Sequence, residues 1–140
     1  MAIFIRMEQR KNSKNSSYGK YYTKTVPMGE VTSEDIAKSL EKRAVFRAGL
    51  VEDVLYEISK ELKTQLQQGK VVSLKGIGRF QLVVASEGHD HPEDFDIAND
   101  ITRVDCKFLP EGHRNPFDGT ITRTLTEGVK AKWAPSYDKE

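Results

Sequence analysis

The residues best suited to chemistry lie in the middle of the chain. His89-Asp90-His91 is followed by Glu93, Asp94 and Asp96. In an extended segment a His-x-His pair puts both rings on one side, as a divalent metal would require. No third spaced His or Cys motif accompanies it, so the stretch reads as a solvated acidic loop and no metal is assigned. Gly76 and Gly78 lack the following helix that a nucleotide-binding glycine fingerprint needs. His113, beside Arg114, reads as a turn or phosphate-contact residue, and no Ser/His/Asp or Cys/His arrangement is visible. The expectation is a non-enzyme with no catalytic residue, no cofactor and no small-molecule substrate.

The single cysteine, Cys106, excludes an intramolecular disulfide and fits a reducing compartment. Its neighbours alternate as in a strand, so it is expected to be a small buried apolar residue. The start of the chain, Met1 to Arg6, is too short and charged for a signal peptide, and no run is long enough to span a bilayer. These features predict a soluble, cytoplasmic protein with no membrane partner.

Composition constrains function less than charge placement does. The 140 residues are 37% hydrophobic and 31% charged, with a net charge of +1. Bulk charge therefore gives no argument for a polyanionic partner. Residues 1–30, however, hold six Lys/Arg against two acids, while residues 71–101 hold two against six. The basic excess sits at the N-terminal end and an acidic block runs from Glu87 to Asp100. A near-neutral total can hide a basic face once the chain folds.

The elements that position these residues follow from periodicity. Residues 3–8 and 20–26 read as strands, joined by a polar, turn-rich stretch at 10–19. A short helix is expected to begin near Thr32, with Ile36, Ala37 and Leu40 on one face, and to end near Arg43. The strongest signal is the second helix, about Ala48 to Gln68. Leu50, Val51, Val54, Leu55, Ile58, Leu62 and Leu66 recur at spacings of three and four, and Gly69 is a natural stop. That stripe is too long for one short helix and a small sheet to cover, so a second subunit is expected against it. Lys70–Leu74 and Arg79–Val84 read as strands around the turn Lys75–Gly78, with Phe80, Leu82 and Val84 on one face. Val104, Cys106 and Phe108 alternate in a further strand ended by Pro110. Gly112–Gly119 reads as a turn and Thr120–Leu125 as a β segment. A short element is expected around Val129 and Trp133, stopping at Pro135.

This order resembles the HU and integration host factor family of bacterial histone-like DNA-binding proteins. The stretch Val31 to Phe80 is similar to the first fifty residues of an HU subunit without a gap. Its landmarks are Gln68-Gly69-Lys70, the strand Val71-Val72-Ser73-Leu74 and the turn Gly76-Ile77-Gly78-Arg79-Phe80. Arg114-Asn115-Pro116-Phe117-Asp118-Gly119 resembles the Arg-Asn-Pro tip of that family's DNA-embracing arms, whose proline wedges between base pairs. The separation of Phe80 from Arg114 exceeds the family pattern by more than twenty residues. An extended, Bacteroides-type branch is similar in its β-rich N-terminal extension with a Tyr-Tyr pair, here Tyr21-Tyr22, and in a variable arm after Ser86-Glu87-Gly88. On that reading Arg79–Val84 and Ile101–Phe108 are the arm strands, the acidic block is their tip, and the Arg-Asn-Pro segment is a second hairpin. Tyr21 and Tyr22 could stack on bases, though strand packing is the plainer role.

The resemblance implies an α+β, HU/IHF-like fold: two N-terminal helices, then a β-hairpin and β-arm, with an N-terminal β extension, in an intertwined dimer. The implied division is an extension at 1–30 and an HU-like domain at 31–140. The implied function is sequence-tolerant architectural binding and bending of double-stranded DNA in the nucleoid, as a homodimer. Candidate DNA contacts are Lys75, Arg79, Arg103, Lys107, Arg114, Asn115, Pro116, Arg123, Lys130 and Lys132. The candidate dimer core is Leu50, Val51, Val54, Leu55, Ile58, Leu62, Leu66 and Phe80. The alternative is an HU-derived scaffold that binds protein, favoured by the neutral total and the acidic block.

Overall fold

The computed structural model describes residues 1–14, 16 and 18–135. Asn15 and Ser17, within the stretch read as a turn-rich loop, and residues 136–140 lie outside the described residues. The chain divides into two units. One is formed by Met1–Thr32 with the segment from Thr126 onward, the other by Ser33–Leu125.

The first unit is a three-stranded sheet. Strands β1 (Ala2–Gln9) and β2 (Tyr21–Val26) pair antiparallel, and β8 (Lys130–Trp133) joins the free edge of β1 in parallel. The Lys130 N–H donates to the Met1 carbonyl at 3.1 Å and the Ala134 N–H to the Ile5 carbonyl at 3.0 Å, fastening both ends of the added strand. β1 is therefore a central strand with both backbone edges satisfied.

The second unit opens with α1 (Ser33–Arg43) and α2 (Ala48–Gln67). Ala37 is fully buried in α1, which packs on α2. α2 stops where Gly69 turns to a φ of 80° and its N–H donates to the Leu66 carbonyl at 2.9 Å, a conformation that favours glycine. Strands β3 (Val72–Leu74), β4 (Gly78–Ser86) and β5 (Ile101–Pro110) form an antiparallel sheet in that order. A separate hairpin pairs β6 (Gly112–Arg114) with β7 (Ile121–Arg123).

The expected fold class is corrected by this architecture. Among the described residues the protein is mixed α/β, with three helices and eight strands in three sheets. The chain begins with a strand, so the helices are not N-terminal. The extra helix, α3 (Ile97–Asp100), lies inside the acidic connection, where the Asp96 carboxylate accepts from the Ala98 N–H at 3.0 Å and starts the turn. Cys106 is corrected as well, because it is exposed. Its side of β5 is only partly covered by α2, and the cleft between them, of about 280 Å³, is lined by Leu62, Leu66, Leu82 and Cys106.

The arm of β4 and β5 is rooted at Gly78, which is buried opposite Pro110 with a φ of 151°. A Cβ there would collide with the Leu109 carbonyl oxygen and sit 2.8 Å from the Phe108 ring and 2.9 Å from the Pro110 Cα. Gly78→Ala should therefore destabilise the unit by about 1–3 kcal/mol, read as a lower urea midpoint. Gly119→Ala, at a φ of 72° with open space around it, should cost less.

Candidate nucleic-acid interface

The arm is two-sided because directly opposed residues of an antiparallel pair share a face. Phe80 faces Phe108, Leu82 faces Cys106 and Val84 faces Val104, giving one apolar side. The Phe80 and Phe108 rings stack at 4.8 Å between centroids. The other side carries Arg79 opposite Leu109, Gln81 opposite Lys107, Val83 opposite Asp105 and Ala85 opposite Arg103. Three predicted contacts, Arg79, Arg103 and Lys107, are thus brought to one exposed face. Asp105 is the acid among them, with the Arg103 Nε 2.7 Å from its Oδ2. Gln81 has no charge and so escapes charge counting. With Val71, Arg79, Lys107 and Leu109 it lines a cleft of about 220 Å³ on this face.

Strand pairing places the acidic block at the far end of this arm and makes the Arg-Asn-Pro segment a hairpin of its own. The register slips between Ala85 and Ser86, a bulge where the Thr102 hydroxyl donates to the Ala85 carbonyl at 3.0 Å. The tip is exposed to solvent, as a solvated acidic loop would be, but it carries internal structure. The His89 Nε2 lies 2.9 Å from the Asp100 Oδ2, which also accepts from the Asp96 N–H at 2.7 Å, and the Phe95 ring meets His89 edge-on. Among the described residues no group of three or more His, Cys, Asp or Glu side chains is arranged to hold a metal ion.

The other candidates separate. Lys75 is exposed in the β3–β4 turn, where the Glu111 carboxylate accepts from the Gly76 N–H at 2.8 Å. Arg114, Asn115 and Pro116 enter the β6–β7 turn. The Asn115 N–H donates to the Thr120 carbonyl at 2.8 Å, and its side-chain oxygen accepts from the Phe117 N–H at 2.9 Å. Phe117 is 96% exposed at this tip, a large apolar side chain to which a plain turn assigns no role. Arg123 is half-buried and its guanidinium donates to the Pro110 carbonyl at 2.9 Å, which ties β7 to the arm root. Lys130 and Lys132 belong to β8, in the other unit.

The candidate dimer core is unevenly covered. Leu66 is buried and Val51 and Leu62 are half-buried, whereas Leu50, Val54, Leu55 and Ile58 remain 55%, 48%, 38% and 43% exposed. Phe80 is half-buried against Phe108.

A helix pair feeding a short hairpin and a long two-sided β arm defines a class of small α/β modules. The model of the HU-HIG family, described as "HU domain fused to wHTH, Ig, or Glycine-rich motif", matches residues 1–116, and the chain belongs to that family. A crystal structure described as that of a "Putative bacterial DNA binding protein" from Bacteroides vulgatus ATCC 8482 aligns with a TM-score of 0.59 at 10% identity. The alignment covers 96% of this chain and 50% of that one, so the chain spans about half its length. At this identity the likeness is one of fold. No curated protein matches the chain. No helix among the described residues is long and apolar enough to cross a membrane.

The β6–β7 tip carries a titratable lock. The Asp118 carboxylate accepts from the Thr120 hydroxyl at 2.7 Å and the Thr120 N–H at 2.9 Å, and these bonds hold its pKa below the ordinary aspartate value. A depressed folded value means the turn is stabilised above the ordinary aspartate range and loses this as pH falls through the depressed value. Thr120→Val should move the Asp118 titration, followed by carboxyl NMR, upward toward that of a free aspartate.

Proposed function

We propose that the chain is a non-enzymatic, sequence-tolerant architectural DNA-binding protein of the nucleoid that acts as a homodimer and bends its duplex. The observation that carries this reading is the arm face: Arg79, Arg103 and Lys107 with Gln81 on one side, against the single acid Asp105 paired to Arg103, while the opposite side is apolar throughout. Cations on an extended ribbon hold phosphates without reading bases, and affinity then comes chiefly from counterion release. Family membership and the description of the Bacteroides vulgatus protein support DNA as the partner.

The β6–β7 tip supplies the wedge in this reading. Pro116 and the protruding Phe117 are apolar groups of the kind that unstack a base step, and Arg114 beside them meets phosphate. Lys75 and Arg123 are proposed as secondary phosphate contacts. The homodimer is supported by the half-open stripe on α2. Burying one large aliphatic side chain is worth about 1.5–3 kcal/mol, so four left 38–55% exposed favour a partner surface.

Electrophoretic mobility on a random-sequence duplex across a salt series tests the reading. Affinity should fall steeply with salt, and Arg79→Gln with Lys107→Gln should flatten the log–log slope by roughly 0.9 for each phosphate left without its cation. Pro116→Ala should reduce bending without changing that slope. Deleting residues 89–96 should leave binding unchanged or tighten it, since it removes acids that repel phosphate. Salt-independent behaviour, or no binding, would favour the protein-binding scaffold instead. Analytical ultracentrifugation at micromolar concentration should show a dimer. Ile58→Asp should dissociate it, because an unpaired carboxylate buried there costs about 2 kcal/mol or more.

A further inference from the structure

The sheet of the first unit has a face that the proposed DNA-binding arm does not use. Register places Phe4 opposite Val26, Arg6 opposite Lys24 and Glu8 opposite Tyr22, all on one side. β8 adds Lys130 beside Ala2 and Lys132 beside Phe4 on that same side. Arg10 continues the row, with its guanidinium 4.6 Å from the centre of the Tyr22 ring and its N–H donating to the Lys20 carbonyl at 3.0 Å. The opposite side carries Ile3, Ile5, Met7, Ala131 and Trp133. Alternation thus gathers the cations on one face, around Phe4 and Val26, and leaves the other face with Ile3, Ile5, Met7, Ala131 and Trp133.

Folding gives no reason for so many like charges. Arg6 directly opposite Lys24 is a repulsive cross-strand pair. Glu8 relieves it, with its Oε2 2.9 Å from the Lys24 Nζ and 3.6 Å from Arg6. It is the only acid in residues 1–29. The hydrogen bond and charge of Lys24 hold its carboxyl below the usual glutamate value, so it stays an anion. One internal carboxylate among five cations is an incomplete neutralisation, and the Arg6, Glu8 and Lys24 side chains are all about half exposed. An open cleft of about 680 Å³ runs along this hairpin, lined by Glu8, Arg10, Tyr22 and Lys24 among others. At 3.3 Å per residue the row extends roughly 25 Å along the strands.

We propose that the face carrying Arg6, Arg10, Lys24, Lys130 and Lys132 binds the phosphodiester backbone of nucleic acid, as a second contact surface beyond the arm. The inference deepens the DNA-binding reading and rests on it. Its ligand is a polyanion because the face offers donors and positive charge. Glu8 acts as a built-in counterion that a phosphate displaces, and the Tyr22 ring with Arg10 gives an aromatic-cationic step beside the backbone.

The test uses the full chain in fluorescence-anisotropy titrations at several salt concentrations, on a random-sequence duplex and on one of its single strands. Four proteins are compared: wild type, the arm variant Arg79→Gln/Lys107→Gln, the sheet variant Arg10→Gln/Lys130→Gln/Lys132→Gln, and Glu8→Gln. The sheet variant should flatten the log–log slope by roughly 0.9 per phosphate released on duplex, or roughly 0.7 on single strand. The nucleic acid on which the flattening occurs identifies the backbone bound. Glu8→Gln, which keeps every cation, should bind more tightly than wild type. An arm variant with a flattened slope, alongside sheet and Glu8 variants that match wild type on both ligands, overturns this proposal and leaves the arm reading standing. The reverse pattern supports the sheet face and removes the arm. A wild type that binds neither ligand overturns both. Should the sheet variant fail to fold by circular dichroism, Glu8→Gln alone decides.

Discussion

The apolar stripe of α2 must be covered, and the Ser33–Leu125 unit is arranged around the cover that one chain can supply. α1 lies along the helix and buries Ala37, while β3 and β4 reach its C-terminal half, where Leu66 is closed off. The first turns receive much less, and Leu50 and Val54 stay about half exposed. Burial of apolar area is the main favourable term in folding, so a helix covered at one end leaves a large fraction of that term unrealised. The proposed homodimer answers this imbalance directly.

The same economy of cover explains why the arm can be polar on one side. Strand alternation lets β4 and β5 send Phe80, Leu82, Phe108 and Cys106 to the α2 side while Arg79, Gln81 and Lys107 face outward. Gly78 makes the root possible, since any side chain there would strike Leu109 and Pro110. The position of every outward cation is therefore set by packing at the base and by pairing register along the length. A one-residue slip would exchange the two faces. The bulge at Ala85 and Ser86 comes only at the far end, where Val84 and Val104 on the apolar side are exposed.

Local pattern made much of this legible. The α2 stripe, the Gly69 stop and the alternation of Val104, Cys106 and Phe108 each follow from neighbouring residues, and the elements stand close to where periodicity puts them. Cys106 shows the limit, because alternation assigns a face but not whether anything covers it. α3 was hidden because it is four residues long and rests on the Asp96 cap within an acidic stretch. Charge counting found Arg79, Arg103 and Lys107 but could not join them, since their common face is a property of the β4–β5 register. Phe117 carried a visible signal, an aromatic in a turn with no apolar neighbours to bury it.

The least legible feature was the return of β8 to β1. Four residues, Lys-Ala-Lys-Trp, are too few to declare a strand, and nothing local names a partner more than a hundred positions away. The pairing is favoured by the chain already present. β1 offers an edge of unpaired N–H and C=O groups, and one of its faces carries Ile3, Ile5 and Met7, to which Ala131 and Trp133 add apolar surface. Once that register is fixed by backbone bonds, Lys130 and Lys132 have no choice of face, and they land beside Ala2 and Phe4, on the side of Arg6. Cations separated widely in sequence become one surface through hydrogen bonds that none of their side chains makes, which is why summed regional charge understated the basic character of this sheet.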